Sequence, residues 1–100
     1  MARFDVYRYS SEVPFVIDVQ AGLLDDLKTR VVIPLLPQAQ ARREILPRLK
    51  PLIKVNGKNY VLITTDIGAL RVSDLGECIA NAEDQRQIIV DAVDFLLQGF

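Results

Sequence analysis

Residues 52–65 read LIKVNGKNYVLITT and contain the clearest turn signal in the chain. Asn56-Gly57 tolerates the positive φ angles of a tight type I′ turn, which joins two antiparallel strands. The β-branched and aromatic residues on either side favour extended structure. We therefore predict a hairpin with strands at residues 52–55 and 60–65.

Two further strands are predicted near the N-terminus. Residues 4–9 (FDVYRY) are rich in aromatic and β-branched residues, although they alternate only in part. Residues 15–20 alternate better, with Phe15, Ile17 and Val19 on one face. The polar residues 10–14 separate the two strands.

The middle of the chain is less regular. Residues 31–36 (VVIPLL) are apolar on both faces and predict a strand, but Pro34 lacks a ladder donor, so an edge position or a bulge is expected. Residues 37–51 contain three prolines and predict an irregular connection, with at most about two helical turns. Residues 69–72 and 75–79 predict one broken strand, with Gly76 at a bulge.

The last predicted element is an amphipathic helix from Asn81, a good N-cap, to about Leu97. Its apolar face is wider than packing against one core requires. The core-facing residues are Ile88, Ile89, Ala92, Phe95 and Leu96, and the residues that widen the face are Val90, Val93 and Leu97. The surplus indicates a second buried contact, unless Val90 and Leu97 are scattered surface residues.

Length and composition fit one small domain covering residues 1–100. Half of the residues are apolar, yet a core of this size gains stability from oligomerisation. No apolar run is long enough to span a bilayer and no signal-peptide pattern is present, so we expect a cytoplasmic protein without membrane contact. Cys78, the one cysteine, is interpreted as a small half-buried filler.

Catalytic chemistry has little support. The absence of histidine removes the commonest general base and metal ligand. Asp25-Asp26 and the pair Asp91 and Asp94 are close carboxylates, but no apolar residues bracket them to make their environments unequal. No glycine-rich phosphate loop is present. We expect no catalytic residue, no metal and no cofactor.

Charge is segregated along the chain. Residues 42–58 hold six basic residues against Glu44, whereas residues 66–100 hold seven acidic residues against two arginines. A basic segment can steer RNA, but Tyr60 is the one aromatic residue nearby and the pI is about 5.3. A solvated face is favoured, and no sequence-specific nucleic-acid binding is expected.

Two apolar features remain after the core is assigned: Leu23-Leu24 in a polar loop, and the tail Leu97-Gln98-Gly99-Phe100. Gly99 could cap the helix in a left-handed conformation while Phe100 folds back on Phe95. The alternative is that Phe100 anchors the chain in a pocket of a partner.

At these residues the chain resembles CcdB-type toxins, which poison DNA gyrase and are neutralised by a cognate antitoxin. The segments that carry the resemblance are Phe4-Asp-Val-Tyr-Arg-Tyr9, Asp18-Val-Gln20, Arg30-Val-Val-Ile-Pro-Leu35, Thr64-Thr-Asp66, Gly76-Glu77 and Gly99-Phe100. The resemblance implies a mostly β (α+β) fold: an SH3-like barrel or antiparallel sheet with a C-terminal helix, of the CcdB/MazF-like plasmid-maintenance type. It also implies a homodimer.

The resemblance further implies that the dimer binds the gyrase A subunit and traps the enzyme on cleaved DNA, without catalysis by the toxin. The implied gyrase contacts are Leu23, Leu24, Asp94, Leu97, Gln98, Gly99 and Phe100. Contacts with a CcdA-type antitoxin are implied at Arg3, Phe4, Tyr7, Leu23, Leu24, Asp94 and Gly99, and at residues 11–13.

The chain departs from the family pattern at two places. Gln98 stands where the best-known members have tryptophan, and losing an indole removes a large anchor. The loop between the first two strands is also shorter than in those members. Two alternatives to a gyrase poison follow: a ribonuclease toxin of the related SH3-like type, suggested by the basic segment, and a degenerate toxin that retains only antitoxin binding.

Overall fold

A computed structural model describes residues 1–24 and 26–99, which form seven strands, one α-helix and five 3₁₀ turns. The strands are β1 (Asp5–Arg8), β2 (Phe15–Asp18), β3 (Thr29–Pro37), β4 (Leu52–Val55), β5 (Lys58–Leu62), β6 (Gly68–Arg71) and β7 (Cys78–Asn81), and the helix is α1 (Arg86–Gln98). The 3₁₀ turns are Gly22–Leu24, Arg42–Glu44, Thr64–Asp66, Val72–Asp74 and Glu83–Gln85. The fold class is therefore the mostly β one that the sequence predicts.

All the strands pair antiparallel in one curled sheet, in the order β4-β5-β3-β2-β1-β7, with β6 also paired to β3. The curl brings the β4–β5 turn towards β7, where Asn56 Nδ2 donates to the Ile79 carbonyl at 3.5 Å. On β4, the side-chain amide of Gln85 accepts from Lys54 N–H and donates to its carbonyl, both at 2.7 Å. Side-chain amides thus form hydrogen bonds with backbone groups of β4 and β7, the two outer strands of this half-barrel.

The predicted hairpin is confirmed. Val55 pairs with Lys58, which leaves Asn56 and Gly57 as a two-residue loop. Their φ angles are 51° and 82°, the left-handed values that a type I′ turn requires. Both N-terminal strands are confirmed as well, although each is shorter than predicted.

The expectation that Pro34 marks an edge or a bulge is wrong, because β3 lies in the interior of the sheet. One side of β3 pairs with β2. On the other side, β6 pairs with β3 as far as Val32 and β5 pairs from Leu35 onward. The Pro34 carbonyl accepts from Ile63 N–H on this second side, so the missing donor falls at the junction between β5 and β6.

Residues 69–79 also differ from the prediction. They form two strands in different places, because β6 pairs with β3 whereas β7 pairs with β1. Ala80 and Cys78 face successive residues of β1, so the extra residue of the ladder is Ile79 rather than Gly76. Gly76 instead allows its backbone to lie close to the backbone of Arg8, since a Cβ at position 76 would lie 2.7 Å from the Arg8 carbonyl oxygen.

The main core lies between the concave side of the sheet and α1, which buries Ile89 and Ala92. Ile88, predicted to face the core, is exposed, because the contact with the sheet is centred one position further along the helix. Cys78 is exposed too, which corrects its interpretation as a half-buried filler. Within the part of the chain that the structure describes, no helix combines the length and apolar character needed to cross a membrane.

Candidate protein-interaction site

The end of α1 presents exposed groups on a well-fixed scaffold. Asn81, predicted to cap the helix, is the last residue of β7: its Oδ1 accepts from Glu83 N–H at 2.9 Å ahead of the Glu83–Gln85 turn, and α1 begins later than predicted, at Arg86. At the other end Gly99 adopts a left-handed φ of 79° and donates its N–H to Phe95 at 2.8 Å, as the predicted cap requires. Leu97 is 72% exposed beside this cap. Phe100, and with it the predicted contact to Phe95, lies outside the described residues.

The loop after β2 exposes its leucines. Residues 22–24 form a 3₁₀ turn in which Leu23 is 98% exposed and Leu24 is 48% exposed. A leucine side chain gains about 1.5–3 kcal/mol when it is fully buried. The monomer leaves almost all of that gain unused at Leu23, so this side chain is available to a partner.

A buried ion pair lies beneath the loop. Arg30 Nε and Nη2 contact Asp18 Oδ2 at 2.7 and 2.6 Å, and neither side chain has exposed surface. Burial raises the pKa of the Asp18 carboxyl, and the Gln20 N–H and the Arg30 guanidinium only partly oppose this rise. Buried ions need close partners because desolvation is costly, so this pair fixes the strand ends at the base of the loop.

The loop and the helix share an apolar groove of about 220 Å³. Leu24 lines it from the loop, and Val90 and Val93 line it from α1. Arg3 lies at the same groove, with its Nε donating to the Val19 carbonyl at 3.2 Å. The remaining lining residues are Val19, Gln20, Ala21, Val31, Ile67 and Ile89. The groove accounts for Val90 and Val93, two of the residues that widen the apolar face of the helix.

Asp94 lies at a different cleft on the helix, of about 300 Å³. Asp91 and Ile88 line this cleft from α1, and Pro47 and Arg48 line it from the facing connection. The Arg48 guanidinium stacks 4.3 Å from the centre of the Phe95 ring and so fastens the connection to the helix. Leu97 follows Val93 by four residues and Asp94 by three, which places it at the end of the helix between the two clefts.

The N-terminal residues implied by the resemblance divide into exposed and buried ones. Arg3 is partly exposed, whereas Phe4 is fully buried with a φ of 71° and Tyr7 is 5% exposed. Phe4 therefore cannot supply a contact surface to an antitoxin unless the fold opens, and Tyr7 can supply very little. In the short loop before β2, Ser11 is exposed and Val13 is half-buried.

Tyr7 belongs to a network that ties the N-terminus to β7. Its hydroxyl donates to Asp5 Oδ2 at 3.1 Å, and Asn81 Nδ2 donates to Asp5 Oδ1 at 2.9 Å. Burial and the nearby Asp5 carboxylate raise the pKa of Tyr7 well above its usual value. Burial pushes the pKa of Asp5 upward, but bonds from Asn81, Ala2 and Tyr7 outweigh it and the net direction is downward.

The described residues offer little that suits nucleic-acid stacking or metal binding. Tyr60, the aromatic residue near the basic segment, is 9% exposed and packs edge-on against Phe15 with the ring centres 5.4 Å apart. Burial and Asp5 raise the pKa of the Cys78 thiol, which disfavours the reactive thiolate. No group of three acidic or cysteine side chains within residues 1–24 and 26–99 could hold a metal ion.

Sequence reasoning missed the groove and the part that Gln20 plays beside it. The excess apolar width of the helix was the signal for the groove. The width of the apolar face did not identify the residues that line the groove opposite α1, because nothing in the sequence distinguishes Val31 and Ile67 from other strand and turn residues. The sequence feature that could have indicated the role of Gln20 is its position two residues after Asp18, in the Asp18-Val-Gln20 segment that carries the family resemblance.

Two solved structures resemble this chain in fold. One is an endoribonuclease in complex with its cognate antitoxin from Mycobacterial species, with a TM-score of 0.78 and 17% identity, covering 97% of this chain and 94% of that chain. The other is an endoribonuclease from Mycobacterial species, with a TM-score of 0.74 and 17% identity, covering 97% of this chain and 90% of that chain. At this identity the similarity concerns the fold alone.

A curled antiparallel sheet closed by a C-terminal helix is the CcdB/MazF-like toxin fold. The sequence matches the family described as CcdB protein over residues 3–99, which is nearly the whole chain. The chain therefore belongs to the CcdB family and is a toxin of the toxin–antitoxin type.

Proposed function

We propose that this toxin poisons DNA gyrase: a homodimer binds the gyrase A subunit and holds the enzyme on cleaved DNA. The observation that carries the proposal is the exposure of Leu23 and Leu97, at 98% and 72%, in a chain of the CcdB family. A ligand that binds one state of its target more tightly shifts the target towards that state. Tight binding to the cleaved state is therefore sufficient, and no bond needs to be made or broken by the toxin.

The proposed gyrase surface joins the end of α1 to the loop. Leu23, Leu24 and Leu97 supply apolar contacts, and a few such anchors usually carry most of the binding energy of an interface. Asp94, Gln98 and Gly99 are exposed around Leu97 and supply the polar rim. Phe100 extends this surface beyond the described residues.

A CcdA-type antitoxin is proposed to neutralise the toxin by covering part of the same surface. Arg3 and Leu24 lie at one groove, and Asp94 and Gly99 lie towards the helix end. An antitoxin segment across these residues would leave Leu24 and Leu97 inaccessible to gyrase. Competition for one surface is thus the proposed basis of neutralisation.

A DNA-cleavage assay with purified gyrase and supercoiled plasmid tests the proposal. The parent chain should convert plasmid into gyrase-linked linear DNA once protein is denatured and digested. Leu97→Ala should need at least about tenfold more toxin for the same yield, because an interface anchor is removed. Leu46→Ala is the matched control, since Leu46 is also an exposed leucine and is not part of the proposed surface. A parent chain that yields no linear DNA at any concentration refutes gyrase poisoning.

A ribonuclease toxin is the second candidate, favoured by the similarity of the fold to the two endoribonucleases. The basic residues of segment 42–58 would then contact RNA. The burial of Tyr60 counts against this candidate, because little of its ring can stack on a base. Degradation of cellular RNA within minutes of induction, without gyrase-linked breaks, would favour the ribonuclease.

A further inference from the structure

Burial holds the turn that carries Leu23 and Leu24 only through Leu24, which is 48% exposed and lines the groove. The described residues of the loop, 21–24 and 26–28, are all exposed. Within the loop, Leu24 N–H donates to Ala21 at 3.0 Å and Leu27 N–H donates to Leu24 at 3.2 Å. Such bonds shape the turn but do not tie it to the sheet.

Gln20 connects the turn to the sheet. Its side-chain Nε2 donates to the Leu24 carbonyl at 2.8 Å, while its Oε1 accepts from Val31 N–H on β3 at 3.0 Å. The two ends of one amide therefore join the leucine turn to the central strand. Because one end donates and the other accepts, a flipped amide would lose both bonds.

Gln20 is itself held in place from below. The residue is 6% exposed, and its backbone N–H donates to Asp18 Oδ1 at 2.9 Å. The other carboxylate oxygen of Asp18 contacts the buried Arg30. The ion pair, the glutamine and the turn thus form one hydrogen-bonded chain from the core to the exposed leucines.

We propose that Gln20 is a positioning residue that holds the Leu23-Leu24 turn ready for its partner. This inference rests on the proposed function for the identity of the partner, the gyrase A subunit. A loop ordered before binding avoids the entropy loss of becoming ordered in the complex, so preorganisation raises affinity without adding a contact. Gln20 would act in this way although it lies beneath the surface that the partner touches.

Two substitutions separate positioning from general stability. Gln20→Met keeps the length of the side chain but removes both amide bonds. Gln20→Glu keeps an acceptor for Val31 N–H and places a second oxygen against the Leu24 carbonyl, so it breaks the tie to the turn selectively. Gln40→Met, at an exposed glutamine in the connection between β3 and β4, is the matched control.

Amide hydrogen exchange on the full chain gives the first readout. We expect the Leu24 and Leu27 amides to exchange about tenfold faster or more in both Gln20 variants, because a local opening is no longer restrained. The Val31 amide should lose protection in Gln20→Met and keep it in Gln20→Glu, and β4 and β5 amides should match the parent. Turn amides that exchange within about twofold of the parent in both variants would overturn the proposal.

Affinity for the purified gyrase A subunit gives the second readout. Both Gln20 variants should bind about tenfold more weakly, as expected when one or two hydrogen bonds that preorganise a loop are lost. If Leu23→Ser weakens binding but both Gln20 variants bind like the parent, the positioning role is overturned and the proposed function stands. If the parent does not bind gyrase, the proposed function fails, and hydrogen exchange alone decides whether Gln20 orders the turn.

Discussion

Leu24 and Val93 line the same apolar groove, although one belongs to the loop after β2 and the other to α1. Leu23 is the chain neighbour of Leu24, and Leu97 lies one turn beyond Val93 on α1; both leucines are exposed. The proposed function requires that one partner contacts both the helix end and the loop. Each part of the proposed gyrase surface can be tested by single substitutions.

Leu23→Ser is expected to weaken gyrase poisoning at least about tenfold while leaving the fold intact. The side chain is almost fully exposed, so the monomer loses little burial, whereas an interface anchor is lost. Drug-free DNA-cleavage titrations measure the effect, and urea unfolding verifies the fold. Leu46→Ser is the control, since Leu46 is an exposed leucine in the 37–51 connection. Equal losses from both substitutions would argue against a specific role for the loop.

Gln98→Trp is expected to strengthen gyrase binding. Gln98 is exposed next to the capping glycine, and a tryptophan there adds a large aromatic anchor at the proposed interface. We expect about a tenfold lower Kd for the A subunit by surface plasmon resonance. Gln87→Trp, at another exposed position of α1, controls for a general increase in non-specific binding. No gain at Gln98 would mean that the helix end contacts gyrase differently from the proposal.

Asp18→Asn is expected to lower the free energy of unfolding by about 3–5 kcal/mol. The Arg30 guanidinium loses the buried carboxylate that it contacts at 2.6 and 2.7 Å. Asp74→Asn breaks an exposed pair with Arg71 and should change stability by less than about 1 kcal/mol. Urea unfolding at pH 7 compares the two. A similar small effect for both would show that the buried pair contributes no more than a surface pair.

Stability is expected to fall above about pH 10, where tyrosine in the unfolded chain loses its proton. The pKa of Tyr7 is raised in the folded chain, so the folded state retains a proton that the unfolded state releases. The stabilisation is therefore complete below pH 10 and is lost as pH rises towards the folded pKa. Tyr7→Phe should flatten this decline in urea unfolding between pH 8 and 11, and Tyr9→Phe, at an exposed tyrosine, controls for the loss of a hydroxyl group.

Gly76→Ala is expected to lower the free energy of unfolding by about 1–3 kcal/mol. The added methyl group would lie 2.7 Å from the backbone oxygen of Arg8, so β1 or the chain before β7 must shift. At Gly68 the nearest atom to an added Cβ is 3.9 Å away, and Gly68→Ala should be tolerated. Thermal unfolding of both variants tests this difference. Equal melting temperatures would show that the close approach relaxes without cost.

Local signals in the sequence predicted the elements whose structure is decided locally. Asn56-Gly57 specifies its turn because few dipeptides adopt two successive left-handed residues. Gly99 ends the helix as predicted, because a left-handed cap satisfies backbone groups within a few residues. These features do not depend on what lies across the fold.

Tertiary pairing decided the elements that the sequence did not predict. Pro34 is tolerated in an interior strand because β5 and β6 meet opposite it, and no local pattern records where two distant strands end. The candidate site likewise has one part that the sequence predicted and one part that it did not. The exposed leucines stand out in a polar loop, whereas the groove depends on how α1 packs, and Phe4 shows that a residue in a recognisable motif can be wholly internal.

Gln85 links the position of the C-terminal helix to the protection of β4 against aggregation. β4 is an outer strand, and outer strands are where the sheets of separate molecules join and aggregate. The Gln85 amide already occupies both backbone groups of Lys54, and Gln85 immediately precedes α1. An incoming strand must first displace this side chain, which an anchored helix keeps in place. We therefore expect edge-to-edge aggregation through the middle of β4 to require that the helix first detaches from the sheet.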